Sequence, residues 1–302
     1  MRINKSLLLL FLFLTAFSVA LFAEGRKSEK LKESELILTF GTLAHSDPQR
    51  FFETTKPFID YLSKKINADI HLKIYNDYAS ILNDIDHEGL DIAILSPIVY
   101  AMCMDEPDLT FLASVLVRNK PVYHSVLLTR RDSPILSVRQ LAGKKIGFVD
   151  KYSASGYVYP AAFLRASELV EGDLPLYNPI FLGGHERVVR ALMENQIDAA
   201  ATFDEFFDYS RNQVGDYKNI SLDNFRILKL IPDRIPQDAL VCKSNLGQKS
   251  IIALKAALAA FEAEKSKPGS PIKEVLYSNF KPENRAAYEE VKLFLEGIIG
   301  RE

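Results

Sequence analysis

The chain has 302 residues, of which 48% are hydrophobic and 25% are charged, and its formal net charge is −2 at pH 7. This balance excludes a chain too polar to bury a core, and the lack of a basic excess excludes a typical nucleic-acid-binding protein. Single hydrophobic cores usually stop growing near this length, so we expect two lobes.

Residues 1–23 have the pattern of a signal peptide. Two basic residues precede an unbroken apolar run at 7–14, and small residues follow it. The pattern predicts export to the periplasm as a soluble protein, with cleavage after Ala20 preferred over cleavage after Ala23. An uncleaved anchor helix is the alternative, although the apolar run is short for a membrane span.

Cys103 and Cys242 are the two cysteines of the chain. Both have apolar neighbours in the sequence, which favours buried thiols. Export would also permit a disulfide between them, and the sequence alone leaves that alternative open.

The first part of the chain alternates strand and helix patterns. The predicted elements, in order, are a strand at 36–40, a helix through 51–66, a strand at 70–75, a helix through 81–85 and a strand at 90–95. Strands that alternate with helices indicate a parallel sheet.

A similar pattern returns later in the chain. The predicted elements are strands at 122–129 and 144–149, a helix beginning near Ser153, a helix through 188–192, strands at 197–202 and 239–242, and helices at 251–261 and 286–299. The last two helices have no further sheet to cover, so we expect them to pack on the first lobe.

These elements predict an α/β fold with two lobes joined by two crossing segments. The first lobe would comprise 36–124 plus 237–302, and the second would comprise 125–236. Open α/β sheets bind ligands beyond the carboxyl ends of their strands, so the loops after the strands should face a cleft between the lobes.

One strand-to-helix link carries an unusual set of residues. Ser153, Ser155 and Gly156 lie where a helix should begin, and we call residues 153–156 the serine turn. Free backbone N–H groups and the helix dipole favour an oxyanion there. Ordinary capping by a single serine is the alternative, although capping does not require the second hydroxyl.

Three parts of the sequence, the serine turn, Gly184-His185 and Asp198, are similar to motifs of a known family. The chain thereby resembles the periplasmic phosphonate/phosphite-binding proteins of ABC transporters. The resemblance covers nearly the whole mature chain and implies the type II periplasmic-binding-protein fold. By resemblance, the hydroxyls of Ser153 and Ser155 and the backbone of Ala154 hold the phosphonate oxygens. Ala154 stands where the family has threonine, which removes one hydroxyl and puts ligand choice in doubt.

The resemblance assigns further ligand contacts. By that assignment Tyr78 and Tyr123 reach the phosphonate, His185 donates to the oxyanion, and Glu205 and Asp238 hold the ammonium group of an aminoalkylphosphonate. The alternatives are packing for the tyrosines, a surface position for the histidine and solvated loop charges for the carboxylates. Asp204 competes with Glu205 for the same role. If both carboxylates face the cleft, the ligand should be zwitterionic.

The predicted function is that of the solute-binding component of an ABC transporter. The protein would be a monomer that closes around a phosphonate-like ligand, with an aminoalkylphosphonate favoured over phosphite or phosphate, and that docks on a membrane permease. We expect no cofactor, no metal, no catalytic residue and no nucleic acid. A sensor subunit for a membrane kinase and an exported enzyme on the same bilobal architecture are the alternatives.

Overall fold

A computed structural model of the protein describes residues 36–299 apart from 45–47, 88, 207–219, 274, 276 and 283. The predicted signal peptide at 1–23 lies outside these residues. Within the described ranges, no helix is both long enough and apolar enough to cross a membrane.

The fold is built from short strands and helices in alternation. The strands are β1 (Leu36–Leu43), β2 (Ala68–Tyr75), β3 (Ile92–Leu95), β4 (Leu109–Val117), β5 (Val122–Tyr123), β6 (Ser125–Arg130), β7 (Lys145–Phe148), β8 (Val170–Glu171), β9 (Leu174–Pro175), β10 (Asn178–Phe181), β11 (Ala199–Phe203), β12 (Phe225–Leu230), β13 (Ile235–Pro236), β14 (Ala239–Lys243) and β15 (Tyr277–Lys281). The α-helices are α1 (Pro48–Ile66), α2 (Tyr78–Asp86), α3 (Pro97–Cys103), α4 (Tyr159–Ala166), α5 (His185–Met193), α6 (Gln248–Lys265) and α7 (Ala286–Ile299).

Two mixed sheets form the two lobes. The first has the strand order β15-β4-β14-β3-β1-β2 and the second has the order β10-β7-β11-β6-β12. The parallel sheet predicted for the first part of the chain is confirmed for β1 with β3, and β7 also runs parallel to β10 and β11. β14 runs antiparallel to β3 and β4, and β6 runs antiparallel to β11 and β12, so each sheet is mixed. Each of these strands follows a crossing between the lobes, so it enters its sheet in the reverse direction.

The chain crosses between the lobes twice. It leaves the first sheet after β4 and returns to it at β14, and the second sheet is formed in between. Near the crossings β5 pairs antiparallel with β13, with Tyr123 opposite Ile235. The single strand predicted at 122–129 is therefore two strands, divided at His124, because β5 pairs with β13 while β6 pairs within the second sheet. The exact lobe boundaries stay a prediction.

Aromatic packing holds α1 and α6 on the first sheet. The ring of Phe58 in α1 is fully buried and lies 6.1 Å from Phe40, 5.5 Å from Phe261 and 5.3 Å from Phe280, measured between centroids. Such pairs stabilise a core by about 0.5–1.5 kcal/mol each beyond the area they bury. The expectation that α6 covers the first lobe is confirmed.

The other late helix, α7, contacts both lobes. Its Tyr288 packs edge-on against Tyr100 of α3, with centroids 4.9 Å apart, and the Tyr288 hydroxyl donates to the backbone oxygen of Gln237 at 2.7 Å. Phe294 of α7 stacks on Tyr159 of α4 at 4.3 Å with nearly parallel rings. The expectation that α7 packs on the first lobe is confirmed, and the contact with Tyr159 adds a link to the second.

Both cysteines are buried thiols, as expected, and no disulfide joins them. Burial raises the pKa of the Cys242 thiol to about 12. The Cys103 thiol lies 3.2 Å from the backbone oxygen of Val99, to which it donates. A thiol with a raised pKa holds little thiolate at neutral pH, so Cys242 acts as a small apolar core residue.

Candidate functional site

A cavity of about 100 Å³ lies between the lobes. Its wall includes every residue that the sequence singled out for ligand contact, namely Tyr78, Tyr123, Ser153, Ala154, Ser155, His185, Glu205 and Asp238. Two strands of the second sheet explain much of this convergence: β7 and β11 are parallel neighbours, so the serine turn and Glu205 follow the same edge of the sheet.

The serine turn begins a helix, as predicted, but its first turn is π-helical. Residues Ala154–Val158 form the π turn, and α4 continues directly from it. Ser153 is the cap: its Oγ accepts a hydrogen bond from the Gly156 amide at 3.2 Å, and its backbone oxygen accepts from the Val158 amide at 2.9 Å. Ser153 therefore serves the helix start as well as lining the cavity.

Ser155 is not used as the cap, and its surroundings fix it by other bonds. It is 1% exposed, and its backbone oxygen accepts a hydrogen bond from the Ser125 hydroxyl at 2.7 Å. Its side chain lies close enough to that of Tyr123 to affect the pKa of the phenol. Ser153 and Ser155 are thus both fixed at the cavity wall by hydrogen bonds of the turn.

The two tyrosines bring the first lobe and the crossing segment to the serine turn. Tyr78 begins α2 with its side chain near Ser153, while Tyr123 lies in β5 with its side chain near Ser155. Burial, and then the negative charge of Asp238, raise the pKa of both tyrosines. Both phenols therefore remain protonated at neutral pH and can donate hydrogen bonds to an anion.

His185 lies at the first position of α5 with its ring fixed from two sides. Its Nδ1 lies 2.9 Å from the Thr202 hydroxyl of β11, and its ring packs edge-on against Phe203 with centroids 4.9 Å apart. These contacts hold the imidazole in one orientation at the edge of the cavity.

The structure separates the two neighbouring carboxylates that compete in the sequence. Glu205 lines the cavity, and its Oε1 forms an ion pair with the Nζ atom of Lys120. Asp204 is instead held by His124, through a contact of 3.1 Å to Nδ1 and a hydrogen bond of 3.2 Å from the backbone amide. Of the two, Glu205 is the one that lines the cavity.

Asp238 lies between β13 and β14, where the chain returns to the first lobe. Its backbone oxygen accepts a hydrogen bond from the Val115 amide at 2.9 Å, which fixes this segment to β4. Its carboxylate lies close enough to Tyr78 and Tyr123 to raise the pKa of each. The cavity wall therefore combines neutral donors with the carboxylates of Glu186, Glu205 and Asp238.

Sequence reasoning missed the cations of this region. Arg118 lines the cavity, and Lys120 holds Glu205. Both lie in a tight turn in which Arg118 and Asn119 have positive φ values of 52° and 60° and the Lys120 amide donates to the Val117 oxygen at 2.9 Å. Asparagine tolerates positive φ angles, so Asn119 could have indicated a turn in the sequence. A turn pattern does not predict that Lys120 pairs with Glu205.

Across the residues that the structure describes, no group of three or more histidine, cysteine, aspartate and glutamate side chains could hold a metal ion.

Comparison with known proteins places this cavity in context. The family described as the periplasmic substrate-binding protein of phosphonate ABC transporters matches residues 40–290. The phosphonates-binding periplasmic protein of Escherichia coli is 24% identical over 250 residues, covering 81% of this chain and 71% of that protein. The phosphate-import protein PhnD of Mycolicibacterium smegmatis is 31% identical over 171 residues, covering 54% of this chain and about half, 53%, of that protein.

Solved structures share the fold. A binding-protein component of an ABC phosphonate transporter from Pseudomonas aeruginosa superposes with a TM-score of 0.75 at 19% identity, covering 89% of each chain. PhnD1 from Prochlorococcus marinus, in complex with methylphosphonate, superposes with a TM-score of 0.74 at 16% identity, covering 88% of this chain and 99% of that one. These likenesses show an α/β periplasmic-binding-protein fold with two lobes.

Proposed function

The chain belongs to the family of periplasmic substrate-binding proteins of phosphonate ABC transporters, and we propose that it delivers a phosphonate-type anion to the permease of such a transporter. As a member of that family it is a substrate-binding protein and not an enzyme. The observation that carries the proposal is the serine turn, whose two buried serines line the cavity together with Tyr78 and Tyr123. Export through a signal peptide at 1–23 and a monomeric state belong to the same proposal.

The cavity offers an oxyanion several neutral donors in addition to the guanidinium of Arg118. Ser153 and Ser155 offer hydroxyls, the start of the helix offers backbone amides, and the protonated tyrosines add further donors. Hydrogen bonds from such groups to an ionised oxygen are about twice as strong as bonds between neutral groups. A protein with a net negative charge must bind an anion through local donors of this kind.

Ligand binding would favour closure of the lobes. Tyr78 and Asp238 belong to segments of the first sheet, whereas the serine turn, His185 and Glu205 follow strands of the second. A ligand that bonds with both groups stabilises the arrangement in which they are close. Opening would then release the ligand to the permease.

The carboxylates of the cavity wall favour a ligand that carries an amine. The carboxylates of Glu186, Glu205 and Asp238 line the cavity with the guanidinium of Arg118, and a carboxylate that is not balanced by a cation is costly to keep in a closed site. The ammonium group of an aminoalkylphosphonate can donate to Glu205 and Asp238. Phosphite, phosphate and simple alkylphosphonates are the competing ligands: one relative is named for phosphate import, and a solved structure of another holds methylphosphonate.

The test compares 2-aminoethylphosphonate with ethylphosphonate by titration calorimetry. The amine compound should bind at least about tenfold more tightly, a difference of about 1.4 kcal/mol. Replacing Asp238 with asparagine should reduce this ratio while changing ethylphosphonate binding less, because the loss falls on the ammonium group. Solution scattering of the saturated protein should show a smaller radius of gyration than the free protein.

The outcomes separate the two parts of the proposal. If ethylphosphonate, phosphite or phosphate binds as tightly as 2-aminoethylphosphonate, the amine preference is wrong and the phosphonate site stands. If none of these ligands binds to folded protein, the whole proposed function is wrong.

A further inference from the structure

Glu205 already has a cation, supplied by the chain itself. The Nζ atom of Lys120 forms an ion pair with Oε1 of Glu205, and Lys120 lies in the turn between β4 and β5 whereas Glu205 follows β11. The ion pair therefore connects the segment by which the chain leaves the first lobe with a loop of the second lobe. Glu205 lines the cavity, and it is the carboxylate that the family resemblance assigns to the ammonium group of a ligand.

The two partners differ in their access to water. The Glu205 side chain is 17% exposed, so it has lost much of its hydration, while the Lys120 side chain is 59% exposed. A carboxylate with little water needs a cation, but an exposed lysine can move into solvent at small cost. Ion pairs with an exposed partner are weak, so a ligand ammonium can displace this lysine.

The neighbouring carboxylate does not offer Lys120 an equal partner. Asp204 is bonded twice by His124, through the ring and through the backbone amide. The bond with Glu205, followed by the charges of Glu205 and Asp204, raises the pKa of Lys120. Lys120 is therefore a full cation at neutral pH, and Glu205 is its principal partner.

We propose that Lys120 sets the ligand specificity of the site, because it competes with a ligand ammonium for Glu205 and neutralises Glu205 when the ligand has no amine. This inference rests on the proposed function, since it presupposes a phosphonate in the cavity. The lysine weakens binding of an aminoalkylphosphonate, which must displace it, and supports binding of an alkylphosphonate, which leaves it in place. Lys120 thus broadens the range of ligands that one site accepts.

The test is the variant Lys120→Met, measured with the same two ligands by calorimetry. The ratio of the ethylphosphonate Kd to the 2-aminoethylphosphonate Kd should rise about three- to fivefold, which is the range expected for a partly exposed ion pair. Two effects add in this ratio: the amine compound meets no competitor, and ethylphosphonate leaves Glu205 without a cation.

Three control variants make the result specific. Lys144→Met removes another exposed lysine, at the far end of β7 from the serine turn, and should leave the ratio unchanged. Lys120→Arg keeps a cation and should stay near the wild-type ratio. The double variant Lys120→Met/Glu205→Gln should have the same ratio as Glu205→Gln alone, because the lysine then has no carboxylate to neutralise.

The result that overturns the inference is a wild type that binds both phosphonates and a folded Lys120→Met variant whose ratio is unchanged or lower. An equal rise in Lys144→Met would also overturn it, because the effect would then be one of overall charge. Failure of the wild type to bind either phosphonate would instead overturn the proposed function, and this inference with it.

Discussion

The two halves of the cavity wall are built in different ways. The serine turn is fixed by backbone hydrogen bonds, and Ser153 and Ser155 are 2% and 1% exposed. The carboxylate side consists of loop residues, and one of them is paired with an exposed lysine, Lys120. The first half has its geometry before a ligand arrives, whereas the second can exchange partners.

This difference indicates how affinity and selectivity are divided. Groups that are already ordered lose little conformational entropy on binding, so most of the binding energy for the anion should come from the serine turn. Long charged side chains can be substituted or displaced without disturbing the fold. Selection among phosphonates should therefore depend on Glu205, Asp238 and Lys120.

The strongest test of this division is the double variant Ser153→Ala/Ser155→Ala. Two charge-assisted bonds, at about 1.5–3 kcal/mol each, would be removed, so phosphonate affinity should fall at least about tenfold even if water replaces part of the contact. Calorimetry on protein with an intact melting transition gives the measurement. Unaltered affinity in the folded variant would mean that the serine turn is only a helix cap.

A smaller effect, on stability, is expected at Gly156. A Cβ atom there would lie 2.4 Å from Val149 Cγ2 and 2.7 Å from Ser153 Oγ, so Gly156→Ala must displace the turn. Overpacking of this kind costs about 1–3 kcal/mol. The free energy of unfolding, measured with urea, should fall by that amount, and phosphonate affinity should fall with it.

Gly297→Ala is the matched control for this effect. A Cβ atom at Gly297, within α7, meets no atom within 4 Å. The substitution should be neutral or stabilising by about 0.5–1 kcal/mol, because alanine is the better helix former. Equal destabilisation by both variants would show that the turn at Gly156 is not tightly fixed.

A further effect, on the pH dependence of stability, is expected at three buried tyrosines. Burial raises the pKa of Tyr78, Tyr123 and Tyr288 above the usual value of 10.0. The unfolded chain releases these protons near pH 10, while the folded chain keeps them. The contribution of the buried phenols to the free energy of unfolding is therefore fully present below pH 10 and decreases above it. Each tyrosine contributes up to about 1.4 kcal/mol per pH unit in that range.

Urea unfolding between pH 9 and 11 measures this slope. Tyr288→Phe should reduce the slope, since Tyr288 is fully buried and its hydroxyl bonds only within the protein, to Ser114 and Gln237. A stability that stays level from pH 9 to 11 would contradict the raised pKa values.

The sequence predicted most of the local structure that positions the site. The apolar spacing of α1 and the serine turn at the start of a helix are local patterns, and both are found. Strand direction is a property of the whole chain path, so the antiparallel entries of β6 and β14 were not visible locally. The division of the strand at His124 was missed for the same reason.

Within the site, the residues that were found and those that were missed differ in kind. The serine turn is a short motif that can be recognised by its resemblance to the family. The same resemblance assigned ligand contacts to Tyr78 and Asp238. The pairing of Lys120 with Glu205 joins residues 85 positions apart in the chain, and neither has a distinctive neighbour sequence. Only the folded chain shows that the carboxylate already has a partner.

The contact between α7 and the second lobe bears on how long a bound ligand stays. Phe294 stacks on Tyr159 outside the cavity wall, so separating the lobes also separates these two rings. Parting an aromatic pair costs about 0.5–1.5 kcal/mol beyond the apolar area that it exposes. Under the proposed release by lobe opening, we expect the residence time to depend in part on these two rings outside the cavity wall, so that the rate of release can be tuned at α7 with the recognition chemistry left unchanged.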